Sequence, residues 1–260
     1  MKSAILDLLW NSDKLAFYDF NLTSNGQNTI FTTAHFYPFW SGIIPDELLS
    51  NETAAFGAFS SVNMVLNKYN GTFPTTFIES GLQWDAPNAW PPHNFIVIEA
   101  LRSLPSNIST GPLPSPSAGS TTFSLVPSGQ LALTESQLPG QPLKAGGNSS
   151  SPDLNALNGT VINGGNRTAD ETWSATLQRE MANRYMTSAL CSWCVLDFSV
   201  HIDRHLSACH IYILMIARHA TGGSIPNILP RLSNAELQVT QSVNNTGNVR
   251  ILIPFLNCLV

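Results

Sequence analysis

The spacing of apolar residues divides this chain into helical stretches and long connections. Residues 1–10 read as a short helix, and residues 15–20 alternate aromatic and polar, as a strand or hairpin arm does. Residues 51–68 place Phe59, Val62 and Leu66 on one face and predict an amphipathic helix. Asn51 stands where it can cap that helix, because its side-chain oxygen accepts from an orphan N–H of the first turn. Pro91-Pro92 opens a helix through about residue 103. Pro92 is tolerated there because a first-turn N–H has no intrahelical partner to lose. Trp173, Leu177, Met181 and Tyr185 recur at i+4 steps and predict a helix to about Trp193. Thr168 and Glu171 ahead of it have the spacing of a capping box.

Residues 105–168 have another character. Ser, Gly, Pro, Asn and Thr dominate, and such a segment buries too little apolar surface to offset its ordering entropy. It is expected to be a long irregular, glycosylated surface insertion rather than a linker. Helix pairs joined by loops, with functional residues on the loops, suit an all-α toroid. A partial toroid leaves helix faces without partners and predicts exposed apolar surface.

Composition narrows the class. The chain has 260 residues, 43% hydrophobic, enough for one sizeable domain. Only 11% of residues are charged and the net charge is −5, with no basic stripe, so nucleic-acid binding has no electrostatic footprint. The run Ile211–Ala217 is shorter than the roughly 20 apolar residues that span a bilayer, and no membrane association is implied. Asn-x-Ser/Thr sequons begin at Asn21, Asn51, Asn70, Asn107, Asn148, Asn158, Asn166 and Asn244, which points to a secreted or vacuolar glycoprotein. No signal peptide is visible, because Asp7 interrupts the first apolar run and no small-residue cleavage site follows. Cys191, Cys194, Cys209 and Cys258 form no disulfide framework by spacing.

Candidate chemistry gathers in one decamer, Gln83-Trp84-Asp85-Ala86-Pro87-Asn88-Ala89-Trp90-Pro91-Pro92. Tryptophan supplies a flat apolar platform with a polar edge. Ionised Asp85 accepts hydrogen bonds, and Gln83 and Asn88 both donate and accept. Sugar hydroxyls need that mixture, and the prolines fix φ so the loop holds its shape. The competing reading is a core loop whose tryptophans only pack. Asp85 in particular has two open roles, sugar contact or bonding its own loop.

The decamer resembles the tryptophan-rich signature of the trehalases, glycoside hydrolase family 37, roughly Gln-Trp-Asp-x-Pro-x-Gly-Trp-x-Pro, with Ala89 where glycine is common. Leu15 to Asn21, Phe36 to Pro45, Leu177-Gln178-Arg179-Glu180 to Trp193, and Ala220-Thr221-Gly222-Gly223 through Asn248 are similar to its fungal branch. By this resemblance residues 1–193 and 220–248 are trehalase-like, and residues 194–219 and 249–260 are not. The resemblance implies an (α/α)6 barrel with the sugar site at one mouth, of which this chain supplies the later part as one incomplete catalytic domain. It implies hydrolysis of α,α-trehalose to two glucoses with inversion, and no cofactor. Trp84 and Asp85 are the foremost sugar contacts it suggests, with Gln83, Asn88 and Trp90 next and Asp19 weaker.

An inverting glycosidase sets a carboxylic acid and a carboxylate base about 6.5–9.5 Å apart. In the family the acid lies upstream of the region matched here and the base just downstream of the Asn245-Thr246-Gly247-Asn248 equivalent. No catalytic residue is therefore assigned, and the chain alone is expected to be inactive. Asp85, Glu79, Asp46 and Glu99 lie near family-like positions, but nothing marks any pair as acid and base. Glu99, among Ile98, Ala100 and Leu101, reads as a satisfied helix residue.

Residues 194–219 hold four of the six histidines. Cys191-x-x-Cys194 with His201, His205, Cys209 and His210 looks like a metal cluster, but its gaps do not meet zinc-finger spacing and no metal is assigned. Abrupt loss of family character marks 194–219 and 249–260 as translated intron. The alternatives to a trehalase fragment are a non-catalytic helical remnant with weak or no sugar binding, and a zinc-binding interaction module.

Overall fold

The computed structural model describes residues 1–69, 72–80, 82, 84–86, 89–139, 153, 160–161, 165–166 and 171–195. It is mostly helical. Helix α1 (Lys2–Leu9) leads into two antiparallel ribbons, β1 (Trp10–Asn11) with β2 (Ala16–Phe17), and β3 (Asp19–Asn21) with β4 (Gly26–Asn28). A short 3-10 turn, Thr33–Phe36, runs into α2 (Tyr37–Trp40). Three long helices follow: α3 (Glu52–Lys68), α4 (Pro91–Arg102) and α5 (Trp173–Val195). Between α4 and α5 lie 3-10 turns at Ser106–Ile108, Thr122–Leu125 and Glu135–Gln137, and a small ribbon, β5 (Thr160–Val161) with β6 (Gly165–Asn166).

The long helices form where the apolar spacing predicts them. Asn51 caps α3, its side chain accepting from the Ala54 N–H at 3.0 Å. Pro91 and Pro92 occupy the first turn of α4. Trp173, Leu177, Met181 and Tyr185 are all buried along α5. One local expectation fails. Helix α3 is not amphipathic in place, because every residue from Ala55 to Lys68 is buried. Its polar face is covered by neighbouring chain instead of water. The capping box expected at Thr168 and Glu171 rests on Thr168, which lies outside the described residues. Helix α5 begins at Trp173, Thr172 accepts from the Ala175 N–H at 3.2 Å, and Glu171 pairs with Arg179.

Contacts along α3 fix the directions of its neighbours. Trp173, at the start of α5, stacks edge-on against Phe56 with centroids 5.4 Å apart and donates to Glu52 at 3.2 Å. Arg184, eleven residues along α5, donates to the carbonyls of Leu66 and Tyr69 at 2.5 Å each. Helices α3 and α5 therefore run in the same direction. Helix α4 runs back between their ends. Asn94 near its start bonds the Phe73 carbonyl just beyond α3, and Asn107 beyond its end bonds the Leu49 carbonyl just before α3.

The low-complexity segment packs more than its composition suggests. Ile108, Leu113, Leu131 and Leu138 join the core. The side chain of Gln130, 1% exposed, donates through Nε2 to the Lys14 carbonyl at 2.9 Å and the Gly57 carbonyl at 3.1 Å, and the Gln130 backbone carbonyl accepts from the Tyr18 hydroxyl at 2.7 Å. One amide thus joins the first hairpin, α3 and residues 127–132. Gly57 permits this closure, because a Cβ there would lie 2.7 Å from Leu15 Cδ1. Lys68 is buried in an ion pair with Glu135, with Asp153 at 3.6 Å.

The proposed cluster from Cys191 to His210 and the segments 194–219 and 249–260 lie outside the residues whose side chains are described. Among the described residues no helix is long and apolar enough to cross a membrane. Large apolar side chains are exposed at Leu8, Leu22, Ile30, Trp40, Leu49, Ile78, Leu82 and Trp84.

Two stability predictions arise here. Glu180 and Arg184 form an ion pair at 2.7 Å with both side chains fully buried. Removing one partner strands the other charge, at about 3–5 kcal/mol. Arg184→Ala should therefore lower the urea midpoint severely, while Arg102→Ala at the exposed pair with Glu99 should leave it nearly unchanged. His35 is buried against Tyr18 and Phe31, and burial pushes its imidazole down to about 4, with a backbone bond at Ile30 opposing. Its folded pKa lies below the unfolded value, so the neutral ring's contribution is present above pH 6.5 and fades as pH falls toward 4. That loss amounts to roughly 3 kcal/mol at most. His35→Phe should flatten unfolding midpoints measured between pH 7 and pH 4, and an unchanged slope would rule His35 out as the cause.

Candidate functional site

The chain between α3 and α4 carries the decamer, and its shape is set by what anchors it. Phe73 and Phe77 are buried in an aromatic cluster with Phe31 and Phe36, with Phe31 and Phe77 centroids 4.8 Å apart. The Thr33 N–H donates to the Thr75 carbonyl at 2.9 Å, and Thr32 pairs with Thr76 as an isolated bridge. Asn94, 1% exposed, donates to the carbonyls of Phe73 at 3.2 Å and Trp90 at 3.1 Å. Both ends of the connection are thus tied to the start of α4. The intervening tip turns back on itself, with the Ala86 N–H donating to the Ile78 carbonyl at 2.8 Å and the Asp85 N–H to the Leu82 carbonyl at 3.1 Å.

Trp84 sits at this tip and is 51% exposed. Its ring stacks on Trp90 with centroids 4.5 Å apart and planes at 21°, and meets the edge of His93 at 5.4 Å. His93 in turn lies 6.3 Å from Tyr37 on α2. The two tryptophans expected at the site are therefore brought together. Trp90 backs one face of Trp84, and Ile78 and Leu82 on the same loop are exposed with it. Burial pushes the His93 imidazole below its ordinary value, so this ring stays neutral beside the indoles.

Asp85 is half-buried and engaged by its own loop. Oδ2 accepts from the Ser80 hydroxyl, and Oδ1 accepts from the Thr76 hydroxyl at 3.4 Å. Of the two open roles, loop bonding is visible. An ionised carboxylate offers about four lone-pair directions, so two acceptor positions are left for another donor. Gln83 and Asn88 lie outside the described residues. Among the remaining carboxylates, Asp19, Asp46 and Glu79 are exposed, and Glu99 bonds Arg102 through both oxygens at 3.2 Å, as a helix surface pair does. No two of them are held facing each other across a described cleft. A cleft of about 400 Å³ lies elsewhere, lined by Phe123, Val126, Leu131, Leu133 and Glu135 among others, and none of the expected sugar contacts borders it.

Sequence reasoning passed over His93 and Tyr37, which extend the aromatic surface, and Thr76 and Ser80, which hold Asp85. The hydroxyls had a signal: short polar residues close to an aspartate in a loop commonly bond it. The histidine had only its place three residues after Trp90, one turn into the helix.

With this geometry in view, the relatives are informative. The Trehalase family model matches residues 1–113, which take in the hairpins, α3, the loop and α4. The chain is 34% identical over 104 residues to the trehalase of Oryctolagus cuniculus, covering 40% of this chain and 17% of that protein. It is 29% identical over 109 residues to the trehalase of Bombyx mori, covering 42% and 19%. A periplasmic trehalase of Xanthomonas oryzae pv. oryzae is 32% identical over 102 residues, covering 39% and 16%. The chain spans less than a fifth of the length of these curated relatives. The family match stops short of the strings from Leu177 onward.

The loop geometry predicts a fluorescence change. Asp85→Ala releases Ser80 and Thr76 and loosens the tip under Trp84. Acrylamide quenching of tryptophan emission should rise in Asp85→Ala, while unfolding midpoint changes by no more than about 1–2 kcal/mol, the ordinary worth of such bonds. Quenching equal to that of the parent chain would show that Asp85 does not hold the tip.

Proposed function

Since residues 1–113 belong to the trehalase family, we propose that this chain is part of an enzyme that hydrolyses α,α-trehalose to two glucoses with inversion. The observation that carries the reading is the Trp84 platform. An indole backed by a second indole and edged by a neutral imidazole stands next to a carboxylate with acceptor capacity to spare. A sugar ring presents apolar C–H faces and a rim of hydroxyls. The indole takes the face, and Asp85 accepts from a rim hydroxyl. Gln83, Asn88 and Trp90 complete the contact set.

The described residues contribute sugar contacts, and no acid–base pair is assigned among them. Inversion needs one carboxyl to protonate the bridging oxygen and one to take a proton from water. Asp85 is committed to Thr76 and Ser80, and Glu99 to Arg102, so neither has an opposed carboxylate partner here. The alternating directions of α3, α4 and α5 are what successive helices of an (α/α)6 toroid require, and the Trp84 loop joins two of them at one end, where that fold places its site. The sequons and the low charge support a secreted or vacuolar setting for the enzyme.

Calorimetric titration of trehalose into the folded chain tests both halves. Saturating heat in the millimolar range is expected for the parent chain, and none for Trp84→Ala. A flat trace from parent protein with helical circular dichroism would overturn the sugar-contact reading. Glucose released above background would overturn the assignment of the acid and base to other parts of the enzyme.

A further inference from the structure

Three sequons fall on residues whose side chains are described: Asn21-Leu22-Thr23, Asn51-Glu52-Thr53 and Asn107-Ile108-Ser109. They differ in what the amide does. At Asn21, on the turn of the β3–β4 hairpin, Oδ1 accepts from the N–H of Thr23 at 2.8 Å and of Ser24 at 3.2 Å. At Asn51, Oδ1 accepts from the Ala54 N–H at 3.0 Å. In both, backbone N–H groups claim the oxygen, which orients the amide plane and leaves Nδ2 out of those bonds. Asn21, Thr23, Asn51 and Thr53 are all exposed.

Asn107 is exposed but spent differently. Its Nδ2 donates to the Leu49 carbonyl at 2.7 Å, tying the end of α4 to the turn before α3. The third sequon residue, Ser109, is 6% exposed, and its hydroxyl donates to the Pro105 carbonyl at 2.9 Å. A sugar on Asn107 would press on the Leu49 turn, two residues from Asn51, so two glycans would compete for one patch.

We infer that Asn21 and Asn51 are N-glycosylation sites and that Asn107 stays bare in the folded protein. This rests on the secreted or vacuolar setting proposed above. The donor is a lipid-diphosphate-linked oligosaccharide. Its anomeric C–O bond breaks, a C–N bond forms to Nδ2, the lipid diphosphate leaves, and Nδ2 gives up one proton and keeps one N–H. Since the glycan enters at nitrogen, the Asn51 oxygen continues to cap α3 and the Asn21 oxygen continues to hold its turn.

The full chain, sent through the secretory lumen of yeast by an appended leader, is mapped by glycopeptide mass spectrometry. Deglycosylation in heavy-oxygen water marks each occupied asparagine. Asn21 and Asn51 are expected to be marked in most molecules and Asn107 in few. Asn21→Asp and Asn51→Asp should each remove one glycan and leave the unfolding midpoint of deglycosylated protein unchanged, because aspartate preserves the accepting oxygen. The inference is overturned if either site is unmarked, or if Asn107 is marked as heavily as they are. Glycans at both sites on a chain that ignores trehalose would sink the sugar-contact reading and leave this one standing.

Discussion

Everything described in this chain is arranged around one demand: α3 is buried on all sides. A helix with water on one face can carry Ser60, Asn63, Asn67 and Lys68 at no cost. Buried, each of these polar groups needs a partner, because an unmet one costs about 1–3 kcal/mol. The fold meets much of this demand from several directions, though the Asn63 Nδ2 and the Ser61 hydroxyl on the same helix stay without a partner among the described residues. Ser60 bonds back to the Gly57 carbonyl, and Asn67 to Asn63. Gln130 comes in from a loop seventy residues away to take the Gly57 carbonyl as well. Glu135 reaches Lys68. Arg184 takes two carbonyls at the C-terminal end, where the last turn of any helix leaves acceptors without intrahelical donors. Its guanidinium is itself buried and is kept charged by Glu180.

That arrangement is what positions the Trp84 loop. The chain leaves α3 at Tyr69, whose carbonyl Arg184 holds, and Asn94 grips the following stretch at Phe73. The same Asn94 grips Trp90 at the far end. Two fixed points on one side chain make the loop between them a closed figure, and Asp85 stiffens it from within through Ser80 and Thr76. A surface already held in shape loses less conformational freedom when a ligand settles on it, so more of the contact energy appears as affinity. Asp85 therefore serves the site by holding the loop even before it meets a hydroxyl.

The sequence showed the parts of this that are local. Period and caps placed α3, α4 and α5, and Asn51, Pro91 and Pro92 were read correctly because each satisfies its own helix end. The tryptophan pair was legible for the same reason: both residues lie within one short string, and their rings stack. What failed was non-local. Phe59, Val62 and Leu66 mark one face of α3, and nothing in their spacing says the opposite face is covered. The cover comes partly from residues 105–139, whose Ser- and Pro-rich composition hides that Ile108, Leu113, Leu131 and Leu138 are enough to seal against a helix. Glu171 pairs with Arg179, eight residues on, a partner that no short window of sequence shows. Tyr37 and His93 joined the aromatic surface through the packing of α2 on α4, which no single window of sequence contains.

The proposed separation of binding from chemistry also has a physical logic. A catalytic carboxyl pair must face across open space at about 6.5–9.5 Å, with room for a water and for developing charge. A platform needs the opposite: a ring fixed from behind, edges bonded, no room to move. Trp84 on Trp90, with Asp85 tied twice to its own loop, is built for the second task. The described residues thus supply one rigid aromatic surface, Trp84 backed by Trp90 with Asp85 held beside it.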